Sequence, residues 1–258
     1  MFRKGHKRFF FVTAGLMLLG FAGWFFLASS KDKSMIIAEE DIPDGMVLVP
    51  AGYFIMGSDD PSSEPDEHPQ KRLFLPAFFI DRYEVTNAAF KAVFPNHTYS
   101  EGTDQLPATH VTREQAMAYC RAVGKRLPTN AEWEKAARGT DGRKYPWGDT
   151  FTGTEANISP DGSSNGLKPV GSFPQGASIY GVHDMAGNAW EWVEDIYKGK
   201  LPWPVSLIED PPEPRGILRG GAHGYGAYQA RCSYQGFEGL EFTCNDTGFR
   251  YARDVSTH

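Results

Sequence analysis

Residues 181–195 read Gly181-Val182-His183-Asp184-Met185-Ala186-Gly187-Asn188-Ala189-Trp190-Glu191-Trp192-Val193-Glu194-Asp195. An amphipathic helix would space its apolar residues at three and four, and a half-buried strand would alternate. Only residues 189–193 approach alternation. Two readings are open. In one, the segment is irregular and turns oxygens onto a common point: the side chains of Asp184 and Glu191 and the main-chain carbonyls of Gly187 and Ala189. Such a set suits a hard cation such as calcium. In the other it is a tight turn at Asn188 beside a buried tryptophan pair, since a complete calcium-loop signature is missing.

Upstream lie the clearest regular elements. Thr112-Arg113-Glu114-Gln115 has capping-box spacing and opens a helix running to Ala122, with Gly124 closing it. Thr129 and Glu132 repeat the device, and residues 133–138 continue that helix to Gly139. Thr86 caps a short helix reaching about Phe94. Residues 46–56 read as two short strands turning at 50–52, residues 58–72 as an acidic solvated loop, and residues 73–83 as strand. After Thr140 turn signals recur and no long helix is visible. Residues 198–214, rich in proline, read as a surface loop. The 28 glycines and 18 prolines of the 258-residue chain agree with abundant turn. No linker divides the chain after Ile42, so one domain is expected.

Hydrophobic content of 41% and charged content of 22% belong to a folded chain. A net charge of −6 without a basic aromatic stripe excludes nucleic-acid binding as the first reading. Arg3, Lys4, Lys7 and Arg8 precede an uncharged run over residues 9–28. About 20 apolar residues span a bilayer. The expected layout is a cytoplasmic segment 1–8, a transmembrane anchor helix 9–28, a tether 29–43 and a domain 44–258 outside the cytoplasm, periplasmic or extracellular, under the positive-inside rule. The rival is a cleaved signal peptide, although the apolar run exceeds the usual signal core of about 7–15 residues. The three cysteines, Cys120, Cys232 and Cys244, have no CxxC spacing. One disulfide with one spare thiol is plausible in an oxidising compartment. Asn96, Asn157 and Asn245 begin N-x-S/T triplets.

The order of several blocks carries a resemblance. They are residues 46–57 (Met-Val-Leu-Val-Pro-Ala-Gly-Tyr-Phe-Ile-Met-Gly), 79–87, 118–120 (Ala-Tyr-Cys), 124–139 (Gly-Lys-Arg-Leu-Pro-Thr-Asn-Ala-Glu-Trp-Glu-Lys-Ala-Ala-Arg-Gly), 145–149, 169–174, 184–192, 218–221 (Leu-Arg-Gly-Gly) and 248–250 (Gly-Phe-Arg). Over about residues 44–253 the chain resembles the formylglycine-generating enzyme, or sulfatase-modifying factor, family. The resemblance implies an α+β fold: a single compact C-type-lectin-like domain with little regular secondary structure, preceded here by one transmembrane helix. It also implies structural calcium. One site matches Asp184, Gly187, Ala189 and Glu191, and a second uses Asn157, Ile158, Asp161 and Ser163.

The family's oxidases hold copper(I) through two closely spaced cysteines after the Arg-Gly-Gly block, because Cu(I) prefers soft thiolates. Here those positions fall on about Tyr225 and Ala230. Aligned with the family, Cys232 is the structural cysteine and Cys120 its implied disulfide partner, with Cys232–Cys244 as the alternative. Arg113 replaces a tryptophan and Gln235 an arginine. No copper and no catalytic residue are expected. The expected function is an accessory, non-copper binding subunit that docks on another membrane or extracytoplasmic protein. The alternative is an oxygen-dependent oxidase of the formylglycine-generating type, or one using a different metal on a small metabolite. His223, within the altered segment, reads as a surface or hydrogen-bonded histidine.

Overall fold

Two capping boxes set the helices that frame the domain. The computed structural model describes residues 42–198 and 214–255. The expected cytoplasmic segment 1–8, anchor 9–28 and most of the tether 29–43 lie outside the described residues, as does most of the 198–214 loop. Among the described residues no helix is long and apolar enough to cross a membrane. Thr112 Oγ1 accepts from Gln115 N, Gln115 Oε1 accepts from Thr112 N, and α2 runs Arg113–Ala122. Thr129 and Glu132 make the same exchange at the start of α3, Asn130–Arg138, which ends at Gly139 with φ 74°. Thr86 caps α1, Asn87–Val93. All three helices start where their cap residues place them, because each cap satisfies N–H groups that the first turn leaves free.

Among the described residues there are also nine short strands: β1 (Met46–Val49), β2 (Gly52–Met56), β3 (Lys71–Leu75), β4 (Phe78–Asp81), β5 (Trp190–Tyr197), β6 (Arg215–Arg219), β7 (Gly236–Gly239), β8 (Thr247–Phe249) and β9 (Ala252–Asp254). They form three sheets in the orders β1-β4-β9, β2-β3 and β7-β6-β5-β8. The β5–β8 pair is parallel and the remaining pairs are antiparallel. Residues 190–197 are therefore strand where an irregular segment was expected, and irregular backbone is confined to 181–189. Trp190, Glu191, Trp192 and Val193 are all buried, so the strand is covered on both faces and loses its alternation.

Among the described residues the core divides into two large clusters and a small third one of Ala156, Ile158, Ala186 and Ala230. One large cluster gathers Trp133, Met185, Val193, Ile217, Cys232 and Phe237, and the other Phe90, Tyr119, Cys120, Trp192, Leu218 and Phe249. This corrects the implied Cys120–Cys232 disulfide: each thiol packs in a different cluster, and all three cysteines are free. Burial pushes both the Cys120 and the Cys232 thiol up to about 12, as expected for inert buried sulfur. Arg113 sits at the irregularity in the β5–β6 register, between Trp192 and Ile196. Its guanidinium donates to the carbonyls of Val193 and Glu194 there.

Buried ion pairs tie these layers together. Glu134 on α3 accepts from Arg138 and from Arg219 of β6. Glu67, in a short turn at Pro65–Glu67, pairs with Arg231. The 58–72 segment is thus anchored at its centre instead of solvated throughout, and its last two residues belong to β3. The charge pattern of the stretch gave no sign of a partner 164 residues away.

Candidate functional site

The segment that follows β6 occupies the place where the resemblance sets copper. Gly220 and Gly221 turn the chain at φ 92° and 72°, and Gly187 N donates to Gly220 O, which fastens this turn to the 181–189 segment. His223 N donates to Asn188 O and Ser159 N to Tyr225 O. Ala230 is fully buried against Ala156, Ile158 and Ala186. Tyr225, by contrast, is 40% exposed and stands edge-on to Trp190 at 5.3 Å. Tyr228 is 38% exposed, its hydroxyl lies 2.9 Å from both Ser62 O and Glu64 Oε1, and the Arg231 guanidinium stacks 4.1 Å from its ring. A phenol and a buried methyl group do not supply the soft donors that Cu(I) needs. Cys232 is two residues beyond Ala230 but belongs to the core. The segment presents tyrosines at the surface.

The opening stretch is built around Arg250. The Arg250 guanidinium is fully buried and bonds Glu191 through two nitrogens, Nε to Oε2 and Nη2 to Oε1, both at 2.7 Å. Trp133 Nε1 donates to the same Oε2. Arg250 also donates to the carbonyls of Asp81, Arg82 and His183. Both oxygens of Glu191 are thus committed to a bidentate ion pair, the strongest geometry open to a carboxylate. Asp184, at φ 56°, accepts from Gly171 N and sets its charge against that of Glu84. Glu84 is buried, and its Oε2 has no donor partner. Burial and then the Asp184 charge push Glu84 well above its ordinary value, and burial pushes Asp184 up as well. Held by Arg250 and Trp133, Glu191 is not free as the second charged ligand of a cation at Asp184. The four groups Asp184, Gly187, Ala189 and Glu191 do not fit a calcium ion.

The second set is no better fitted. Asn157 Nδ2 donates to Asn188 Oδ1 and Gly166 O, and its carbonyl accepts from Asn188 N. Asp161 is exposed and closes a local turn, accepting from Ser159 Oγ, Ser163 N and Ser163 Oγ. Those bonds hold its carboxyl down at about 2. Buried Asn157, neighbouring Ile158, exposed Asp161 and Ser163 make a turn and an amide lock. Among the described residues no group of three or more His, Cys, Asp or Glu side chains is arranged to hold a metal ion. The alternative reading, a turn at Asn188 beside two buried tryptophans, describes what is seen: Asn188 has φ 63° and bridges Glu84, Asn157 and Lys168. Gly187 is obligatory here, because a Cβ at φ 77° would sit 2.3 Å from Asn157 O. Glu84 and Arg250 were missed as partners. Glu84 is one of three charged residues, with Asp81 and Arg82, in the stretch 78–85, and nothing local marks it as turned inward.

A cavity of about 940 Å³ opens beside this region, between α1, the 94–106 loop, Leu167 and His223. His223 is buried and its Nδ1 lies 2.8 Å from Ser164 Oγ. His110 is exposed at φ 57°. Asn96 and Asn245, two of the three glycosylation triplets, line the cavity, whereas Asn157 is buried and cannot carry a glycan in the folded state.

Buried acids give the domain a definite pH response. Asp81 is raised to about 7 by burial, against the opposing charges of Arg250 and Lys125, and Asp66 to about 6, again chiefly by burial. A carboxyl whose folded value is raised contributes stability below its unfolded value, near 3.8, and loses it as pH rises through the folded value. Stability should therefore decline between roughly pH 4 and 7. Thermal melts at pH 5 and pH 8 check this: the wild type should melt higher at pH 5, and Asp81→Asn should narrow the gap. A higher melting temperature at pH 8 would contradict it.

With this geometry in hand, relatives place the chain. Residues 34–255 match the sulfatase-modifying factor enzyme 1-like domain. The chain is 31% identical to the formylglycine-generating enzyme of Thermomonospora curvata, over 83% of this chain and 95% of that protein. It is 29% identical to the inactive C-alpha-formylglycine-generating enzyme 2 of Mus musculus, over 59% of this chain and 69% of that one. Among solved structures, PvdO from Pseudomonas aeruginosa superposes with a TM-score of 0.67 at 27% identity, covering 81% of this chain and 94% of PvdO. The ordered blocks, the caps and the three-sheet fold agree with these matches, and the chain belongs to the sulfatase-modifying factor enzyme 1-like family.

Proposed function

We propose that this chain is a membrane-anchored, extracytoplasmic binding domain that docks on another protein and carries no copper oxidase chemistry. One observation carries the proposal: the two positions that the resemblance assigns to copper hold an exposed phenol, Tyr225, and a buried methyl, Ala230. Tyr225, Tyr228 and Arg231 offer the aromatic and guanidinium groups that dominate protein interfaces. The likeness to a relative named as inactive supports the same direction. The apolar run 9–28 and its basic flank support the anchor and a domain outside the cytoplasm.

A photo-crosslinking amino acid at 225 or 228, in full-length protein within its own membranes, tests the docking face. One discrete protein adduct from both positions, and none from exposed Tyr53, is the expected result. Protein that runs alone in mild detergent and gives no adduct contradicts the proposal.

The same reading assigns the stability of the 181–195 region to the Arg250–Glu191 pair, without calcium. Chelation by EDTA should leave the melting temperature of the purified protein unchanged. A fall of several degrees, reversed by calcium and not by magnesium, would overturn that assignment.

A further inference from the structure

We propose that the cavity beside α1 binds a neutral, hydroxyl-rich ligand, a short oligosaccharide in size and chemistry. This goes beyond docking at the Tyr225–Tyr228 face and does not depend on it.

The volume comes first. About 940 Å³ lies near the upper end of the roughly 300–1,000 Å³ typical of small-molecule sites. The floor is apolar and fixed in place. Phe90 is buried, stacks on Tyr119 at 5.4 Å and takes the edge of His97 at 4.9 Å, with Phe94, Leu106 and Leu167 alongside. Tyr99 stands at the wall, its hydroxyl donating to Asp104 Oδ1 at 3.0 Å. Its ring packs against His97 at 5.6 Å and lies under the Lys91 ammonium, 5.2 Å from the centroid.

Charge decides the ligand class. Among the described residues lining the cavity there is no Asp, Glu, Lys or Arg. Burial holds both His97 and His223 below the usual imidazole value, so both rings are neutral at neutral pH. The tautomer of His97 follows from its neighbour. Asn87 Nδ2 donates to Thr103 O, so Asn87 Oδ1 is the acceptor of the 3.1 Å contact and His97 Nε2 carries the hydrogen. His97 Nδ1 is then an acceptor. The side chains of Asn96, Thr98 and Thr109 line the cavity and make no hydrogen bond within the described residues. The rim thus offers neutral donors and acceptors together, above a floor of rings.

An ionic ligand would surrender its hydration here without meeting an opposite charge. A wholly apolar ligand would strip water from the amides and hydroxyls and return nothing to them. What remains is a neutral molecule that alternates hydroxyl groups with a C–H face able to lie on an aromatic ring. That is a saccharide.

The test uses full-length protein in a detergent without a sugar headgroup. Maltotriose, triacetylchitotriose and a sulfated heparin tetrasaccharide are titrated by calorimetry. A neutral trisaccharide should bind with a submillimolar Kd and the sulfated probe should bind more weakly. Asn96 and Thr98 are exposed, so Asn96→Ala with Thr98→Ala should leave the melting temperature unchanged while weakening binding about tenfold or more, near 1.4 kcal/mol. Tyr99→Ala should weaken it comparably. Tighter binding of the sulfated probe, unchanged affinity in these variants, or no heat from either neutral sugar at millimolar concentration would overturn the proposal. Loss of sugar binding with the Tyr225 adduct still formed would leave the docking reading intact.

Discussion

Arg250→Ala should destabilise the domain by about 3–5 kcal/mol, lowering its melting temperature by roughly 6–20 °C. The reason is what stays behind. Glu191 is fully buried, and without the guanidinium its charge would have only Trp133 Nε1 as a donor. Three carbonyls, those of Asp81, Arg82 and His183, would lose a donor as well. Arg250→Lys should not rescue, because a single ammonium cannot reproduce the two parallel bonds at 2.7 Å. Combining Arg250→Met with Glu191→Gln should recover part of the loss, since an unpaired buried charge costs more than an absent pair. Thermal and urea melts of the three variants check the order. A loss below about 1 kcal/mol for Arg250→Ala would show that the pair is not buried as described.

Glu134→Ala should be comparably damaging, by about 3–5 kcal/mol. Its carboxylate holds Arg138 Nη1 and Gly57 N on one oxygen and Arg219 Nη2 on the other. Both guanidiniums are buried, and Arg219 Nε already lacks a partner. Removing the acid leaves two cations in the core beside Trp133, whose ring lies 5.1 Å from the Arg219 guanidinium. The control is Glu114→Ala, which breaks an exposed pair with Arg121 and should leave the melting temperature within error. Equal effects at positions 114 and 134 would contradict the account, because burial would then not decide the outcome.

The helices and the domain's family were legible in residues 112–139, where cap, acid and terminating glycine act locally. The strands after β5 were not. Arg215–Arg219 and Gly236–Gly239 are buried on both faces or lack side chains, so no alternation marks them. The site was half legible. Asp184 and Glu191 stood out as carboxylates in an apolar setting, but their partners Glu84 and Arg250 lie about a hundred and about sixty residues away in the chain, and no local pattern records that distance. Calcium was the natural reading of four oxygens, two of which, those of Glu191, meet a guanidinium from elsewhere in the chain. The cavity beside α1 gave no signal, because neutral side chains on separate loops carry no spacing rule.

The family scaffold persists here, and the central proposal is that a contact surface stands in place of its copper site. Full-length protein loaded with Cu(I) under reducing conditions, then given oxygen and a cysteine-containing sulfatase peptide, tests it most directly by mass spectrometry. The account predicts no stoichiometric copper after exchange against a competing chelator and no conversion of the peptide cysteine. Retained copper together with formylglycine in the peptide, at turnover that Tyr225→Phe leaves unchanged, would contradict it.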